Sequence, residues 1–335
     1  MIRPAGISCT YNIFRNEELQ RMRYIQELHE GSSVKDIYLC KKRMSLVTKN
    51  GKNYESLTLQ DKTGVIDAKI WDPNSMGIGE FEELDYVDIA GDVVSFQGHL
   101  QLNIKRARKC REGEYNPADY VPVSDKNIDD MMGAIGKYIE SVKNEYLQKL
   151  LKAFFVEDKQ FIEDFRMSSA AKSVHHSFVG GLAEHTLGVT NLCHFFCRNY
   201  PYLNRDLLIS VALLHDIGKT RELSKFPRND YTEVGQFIGH IIIGVQMIDE
   251  KIKDIPDFPE LLANEVRHCI LAHHGELEYG SPKKPAIAEA LALNFADNTD
   301  AKLEIFKETL AAGQSDAGWI GYQNLLESNI RRTEV

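Results

Sequence analysis

The 335-residue chain is 43% apolar and 27% charged, with a net charge of −9; this is the composition of an ordinary globular protein of about two domains at roughly 100–200 residues each. The largely apolar stretch Leu207–Leu214, with Ser210 inside it, falls far short of the ~18 residues that span a bilayer, and Arg3, Asn12, Arg15 and Asn16 break up the start, so neither a membrane span nor a secretory leader is expected. Six cysteines without a CxxC pair argue against a disulfide framework or zinc ribbon and fit a reducing cytoplasm best.

Residues 1–33 read as an N-terminal extension with a helical candidate from Glu17 to Glu30. From residue 34 the pattern changes to strands. Ile37–Val47, Tyr54–Gln60, Val65–Trp71, Tyr86–Phe96 and Leu100–Ala107 are the candidates, and Asp61-Lys62-Thr63-Gly64 is a tight hairpin signal. Five short strands within residues 34–111 predict a small closed barrel of OB type, a fold that often holds single-stranded nucleic acid. A net charge of −9 argues against a polyanionic substrate, but its distribution does not. Residues 34–111 carry thirteen Lys/Arg against eleven Asp/Glu, and residues 112–335 carry −11. Lys41, Lys42 and Arg43 form one basic cluster and Lys105, Arg106 and Arg108 another. They are candidate backbone-tracking cations, with Tyr54, Trp71 and Phe96 as candidate stacking platforms. The bland alternatives are a solvated charged surface and aromatic side chains buried in the core.

Residues 112–126, with Gly113, Pro117 and Pro122, read as a linker. Residues 127–335 read as an all-α domain. Ile128, Met131, Met132, Ile135, Tyr138, Ile139 and Val142 recur at helical spacing, and Leu147, Leu150, Leu151, Phe154 and Phe155 continue it. Nine of the eleven histidines fall from His175 to His274. The apolar helix Leu207–Leu214 ends in His215-Asp216-Ile217-Gly218-Lys219. Adjacent helical residues point ~100° apart, so His215 and Asp216 can converge only near a helix end with room beside it, which Gly218 supplies. Asp216 has two oxygens and can bridge two cations. Upstream, Gly180-Gly181 opens a helix that presents His185; downstream, His240 begins an apolar helix, His273-His274 ends another, and Asp297 lies inside a third. Histidine and aspartate suit Mn²⁺, Fe²⁺ and Zn²⁺, and two such ions would activate water and neutralise a phosphate. Taken alone, His240 is more often a satisfied core histidine and Asp297 a cap. Cys193 and Cys197, flanked by Phe195 and Phe196, belong to a core helix rather than to a metal site.

The ordered set resembles the HD-domain metal-dependent phosphohydrolases, and more closely the YhaM family of 3′→5′ exoribonucleases, which join an OB-fold to an HD domain. The resemblance covers roughly residues 32–305. It rests on Leu57-Thr58-Leu59-Gln60-Asp61-Lys62-Thr63-Gly64, His175-His176-Ser177-Phe178-Val179-Gly180-Gly181-Leu182, Glu184-His185-Thr186, Tyr200-Pro201-Tyr202-Leu203-Asn204-Arg205-Asp206, Leu214-His215-Asp216-Ile217-Gly218-Lys219, Ile238-Gly239-His240-Ile241, His273-His274-Gly275, Tyr279-Gly280-Ser281-Pro282 and Asp297-Asn298-Thr299-Asp300-Ala301-Lys302. It implies metal ligation by His185, His215, Asp216, His240, His273 and Asp297. Two divalent ions are expected, Mn²⁺ first, with Fe²⁺, Co²⁺ or Zn²⁺ as alternatives. It implies 3′→5′ hydrolysis of single-stranded RNA, with single-stranded DNA as a second candidate. Within that expectation Asp216 and Lys219 are catalytic, Lys219 as an electrostatic clamp on the phosphate. His274 is a third ligand, a phosphate contact or a proton donor. His175 and His176 contact phosphate or shape the pocket. A homo-oligomer is left open. The rivals are an HD phosphodiesterase acting on a nucleotide or cyclic dinucleotide, and a non-catalytic single-strand-binding protein. The barrel counts against the first and the full ligand set against the second.

Overall fold

The structure, a computed structural model, describes residues 22–172, 176–312 and 318–333. Five antiparallel-rich strands form the N-terminal barrel: β1 (Ser33–Val47), β2 (Asn53–Asp61), β3 (Gly64–Ile70), β4 (Tyr86–Phe96) and β5 (His99–Lys109). They close in the order β1-β2-β3-β5-β4, with β3 and β5 parallel and every other pair antiparallel. All five expected strands are present, and the topology is that of an OB barrel. β1 serves two walls: Ser33–Leu39 pairs with β4, and the remainder pairs with β2. A bulge between Cys40 and Lys42 separates the two halves and shifts the in/out phase of the later β1 residues. Tyr38, Leu57, Leu59, Ile70, Ile89 and Leu102 fill the interior. Gly91 is required where β4 crosses β5, because a Cβ there would overlap the Asn103 carbonyl oxygen.

Within the helical candidate Glu17–Glu30, the described part contains only a single 3₁₀ turn at Ile25–Glu27; residues 17–21 lie outside the described residues. The reason is tertiary. Leu28 is buried in the barrel core, and the Ile25 amide donates to Asp61 at 2.6 Å, which holds this segment flat against the strands.

The stretch 112–126 is a docked strap. Tyr115 stacks on Tyr86 at 3.7 Å between ring centroids, Tyr120 is buried, and Gln60 donates to the Tyr120 carbonyl at 3.0 Å. At its far end Val123 bridges to Val179 of the helical half.

The helical half contains, among the described residues, α1 (Ile128–Ser141), α2 (Glu145–Phe155), α3 (Lys159–Met167), α4 (Gly181–Asn199), α5 (Arg205–Leu214), α6 (Lys219–Glu222), α7 (Glu233–Ile238), α8 (His240–Lys253), α9 (Glu260–Ala272) and α10 (Ala288–Ala312). Asn127, Asn144, Asp158 and Asn204 cap α1, α2, α3 and α5 by accepting from first-turn amides. Helix α5 is buried from Leu207 to Leu214 and packs against α2, α4, α9 and α10. An element absent from the sequence expectation comes after α10: a hairpin of β6 (Trp319–Gln323) and β7 (Ser328–Arg331), pinned by buried Ile330 and by Gln323 donating to Thr309. No helix of the described residues is long and apolar enough to cross a membrane. Cys40, Cys110, Cys193, Cys197 and Cys269 are free thiols.

Candidate metal centre and strand-binding face

Four helix ends and the middle of a fifth helix deliver the histidine/aspartate cluster to one place. His185 lies in the first turns of α4, and His215 caps the C-terminus of buried α5 with Asp216 next in line. His240 begins α8, His273 caps the end of α9, and Asp297 projects from α10. The turn after Asp216 presses on the start of α8 so closely that a Cβ on Gly218 would overlap the His240 carbonyl oxygen. Gly218 therefore does supply the room that the sequence suggested.

The imidazoles share one pattern. Each Nδ1 is committed to an acceptor, leaving Nε2 to face the centre. His215 donates to the Ala212 carbonyl at 2.8 Å, and His273 to the Ile270 carbonyl at 2.7 Å. His274 donates to the Tyr279 carbonyl at 3.0 Å. His185 is held by Asp300 at 2.7 Å and His240 by Glu222 at 2.9 Å. A carbonyl or carboxylate only accepts, so each Nδ1 carries its hydrogen and each Nε2 presents a lone pair when the ring is neutral.

Asp216 divides its two oxygens between two groups. Oδ2 lies 3.4 Å from Nε2 of both His185 and His215 and 2.6 Å from Lys219 Nζ. Oδ1 lies 3.5 Å from His240 Nε2 and 3.7 Å from His273 Nε2. Asp297 Oδ1 joins the first group, 3.1 Å from His185 Nε2. Asp216 Oδ1, His240 Nε2 and His273 Nε2 are buried with no hydrogen-bond partner. Three converging polar atoms left in that state cost free energy unless something binds them. Among the described residues four trios have ligand atoms close enough to hold an ion, and two of them, His185–His215–Asp216 and His240–His273–His274, lie in this cluster; the other two are His176–His185–Asp300 and His176–Glu184–Glu304. Their nitrogen and carboxylate donors fit a divalent transition metal.

The charges are set accordingly. Burial pushes the Asp216 carboxyl up, but Lys219 and His215 bring it well below the carboxylate range. Burial lowers the Lys219 ammonium, and Asp216 more than restores it. Burial likewise opposes the charge on His185, yet hydrogen bonds to Asp216, Asp297 and Asp300 lift it well above the usual histidine value. Burial and the neighbouring His273 bring His274 down to about 4.

His185, Lys219, His274 and Asp297 open onto a cavity of about 720 Å³, whose other walls include Tyr279 and the hairpin turn. His176 does not line it. It is buried behind His185 with Nε2 3.1 Å from Asp300 Oδ2, so its place is that of a support rather than a phosphate contact. His175 lies outside the described residues. Two residues given no role from sequence, Asp300 and Glu222, orient ligand-side histidines. Asp300 carried a signal, since it lies three residues beyond Asp297 and shares its helix face.

On the barrel, Tyr54 and Trp71 stack on each other at 5.1 Å on the outer face of β2 and β3, with Trp71 51% exposed. Exposed Lys42, Met44 and Leu46 from β1 lie on the same face, because Leu46 pairs with Tyr54 and Met44 with Ser56. Arg43 departs from its expected role. The bulge turns it inward, where it pairs with Glu55, donates to the Phe81 carbonyl and lies over the Phe81 ring at 4.2 Å. Burial and the charge of Lys172 lower the Lys41 ammonium, which places Lys41 towards the helical half. Phe96 is exposed at the β4–β5 turn. The second basic cluster lies on the β5–β4 wall, away from β2. Lys105 pairs with Asp92, and Arg108 with both Asp88 and Glu114. Arg106 makes no ion pair among the described residues.

The HD domain family model matches residues 182–302. The 3′-5′ exoribonuclease YhaM of Bacillus subtilis (strain 168) is 36% identical over 286 residues, 84% of this chain and 90% of the relative. The protein of the same name from Geobacillus sp. (strain WCH70) is 35% identical over 277 residues, 82% and 84% of the two chains. The solution structure of the second OB-fold domain of replication protein A from Methanococcus maripaludis matches 28% of this chain and 98% of its own, at 20% identity and a TM-score of 0.22. With 36% identity running through both the barrel and the helical half, the chain belongs to the YhaM family of 3′-5′ exoribonucleases.

Proposed function

We propose that this chain is a divalent-metal-dependent 3′→5′ exoribonuclease acting on single-stranded RNA in the cytoplasm. The observation that carries the proposal is the convergence of the partnerless buried atoms Asp216 Oδ1, His240 Nε2 and His273 Nε2. His185, His215, Asp216 and Asp297 would hold one ion, and Asp216, His240, His273 and His274 a second. Mn²⁺ is the first candidate, with Fe²⁺, Co²⁺ and Zn²⁺ accepted by the same donors. When bound, such ions supply an activated water and neutralise the non-bridging phosphate oxygens.

The chain's own groups do the rest. Lys219, fixed at 2.6 Å from Asp216, holds a positive charge at the cavity wall where negative charge develops on phosphate. With Nδ1 committed to the Tyr279 carbonyl, His274 turns Nε2 inward as an acceptor, which favours a ligand over a proton donor. Tyr54, Trp71 and Lys42 hold the strand upstream by stacking and charge. In the reaction, the water oxygen adds to phosphorus and the bond to the upstream O3′ breaks. A shortened chain with a 3′-hydroxyl and a nucleoside 5′-monophosphate result.

The test is digestion of a 5′-labelled single-stranded RNA with and without Mn²⁺, with single-stranded DNA in parallel. The expected result is a metal-dependent ladder shortened from the 3′ end. Asp216→Ala is expected to abolish it and to lower metal content, while strand binding survives. No hydrolysis with any of the four ions, or normal turnover by Asp216→Ala, would overturn the proposal.

A further inference from the structure

The catalytic cavity has a wall that the HD-matching segment 182–302 does not supply. Leu325, Leu326, Glu327 and Ser328, at the turn between β6 and β7, line the same cavity as His185, Lys219 and Asp297. The hairpin is fixed on the far end of α10. Gln323 donates to Thr309, Arg332 donates to the Leu310 carbonyl, and Ile330 is buried. Phe306, also on the cavity wall, lies nine residues beyond Asp297, about 13 Å along the helix at ~1.5 Å per residue. The cavity thus runs from the ligand cluster and Tyr279 beside it, past Lys302, to an apolar end made by Phe306, Leu325 and Leu326. Among the described residues, Glu327 is the carboxylate that the hairpin adds there. Its backbone sits in the left-handed region at φ 49, a conformation that side chains other than glycine rarely adopt.

We propose that this hairpin turn is the subsite for the 3′-terminal nucleoside, and that Glu327 makes it accept a free 3′-hydroxyl and reject a 3′-phosphate or a continuing strand. The proposal rests on the exoribonuclease function above. Phosphate belongs at the ligand and Lys219 end, so the sugar and base of the departing nucleotide extend towards the hairpin. The apolar and aromatic side chains receive the base. A carboxylate accepts hydrogen bonds from the ribose hydroxyls, which are donors. A phosphate at the same position is acceptor-only and of like charge, and is repelled. Only a strand end then fits, so a binding preference becomes a restriction to exonucleolytic cleavage.

Two readouts on the full-length, metal-loaded protein test this. Calorimetry compares binding of a nucleoside 5′-monophosphate with that of the nucleoside 3′,5′-bisphosphate. Digestion compares RNAs that end in a 3′-hydroxyl and a 3′-phosphate. The wild type is expected to favour the hydroxyl end in both, and Glu327→Gln and Glu327→Lys to reduce each preference by about tenfold or more. Metal content and the thermal melt of both variants, measured alongside, are expected to match wild type, since Glu327 is exposed. Equal binding of the two nucleotides by wild type, or unchanged preferences in both variants, would overturn the subsite. Failure of wild type to digest either RNA would refute the exoribonuclease function. The binding comparison would still decide the subsite.

Discussion

Asp300→Asn probes the support of the metal centre while keeping its shape. Asp300 Oδ2 accepts from His185 Nδ1 at 2.7 Å and lies 3.1 Å from His176 Nε2. Burial opposes its charge, but His176 and His185 hold the carboxyl below the usual range. The asparagine offers a neutral, weaker acceptor. If its amide is reversed, it presents a donor to the Nδ1 hydrogen and favours the tautomer that hides the Nε2 lone pair. Losing such an outer partner costs about 10–100-fold in metal affinity, or about 1.4–2.7 kcal/mol. A second perturbation reaches the same carboxylate from the other side. Gly188 of α4 faces Asp300 so closely that a Cβ would overlap Oδ1, so Gly188→Ala is expected to produce a loss of the same order. Because both changes act on one group, the double variant should lose little more than the worse single variant. Equilibrium competition with a chromogenic chelator, using Mn²⁺ or Co²⁺, measures all three affinities, with circular dichroism as the folding control. Affinities within twofold of wild type for every variant would refute the role assigned to Asp300.

Trp71→Ala removes half of the exposed stack on the barrel and is expected to cost about 1–3 kcal/mol in single-strand binding, measured by fluorescence anisotropy; unchanged affinity would move the strand to another face. Glu substitution at Lys105 and Arg108 is expected to change the salt slope of RNA binding little, since both cations already neutralise acidic neighbours; a flattened slope would place phosphate there. Metal loading is expected to release a proton and to strengthen as pH rises, because His185 is lifted well above its ordinary value by three carboxylates against burial, and a protonated imidazole cannot ligate. Calorimetry in buffers of different ionisation enthalpy reads that proton, and its absence would refute the assignment. The same raised value stabilises the metal-free fold below the unfolded histidine pKa of about 6.5, and this contribution is lost as pH rises through the folded value.

The strands and the residues that converge in the histidine/aspartate cluster were legible in the sequence because each depends on local order. Alternation marks β2 and β3, and His215-Asp216 sits at the end of an unmistakable apolar helix. Arg43 was misplaced because one bulged residue inverts every later side chain on β1, and nothing between Cys40 and Lys42 announces it. Glu222 could not be paired with His240 from sequence, since the pairing is made by the way α6, α7 and α8 fold back on one another. The C-terminal hairpin escaped because β6 and β7 are short and mostly exposed and Gly321 interrupts β6, so they carry no clean two-residue period. Its stability comes from the end of α10 rather than from its own pattern.

The strap between the two halves has a consequence for the products. Its barrel end is held through Tyr120 by Gln60 and through Asp119 by the Lys62 amide at 2.9 Å. Its other end is held by Val179, while Ser124 and Lys126 both engage Glu184, the residue before His185. The span from the Tyr54–Trp71 stack to the ligand cluster is therefore a fixed ruler rather than a tether of variable reach. On the strand path proposed above, a strand that covers the span would be gripped at two points, and each trimming step would leave both grips in place. Once the remnant is shorter than the ruler, it is held at its 3′ end alone and dissociates between cuts. Digestion then passes from sustained to distributive at one oligomer length, a length set by the placement of the two halves and not by the chemistry at the metals.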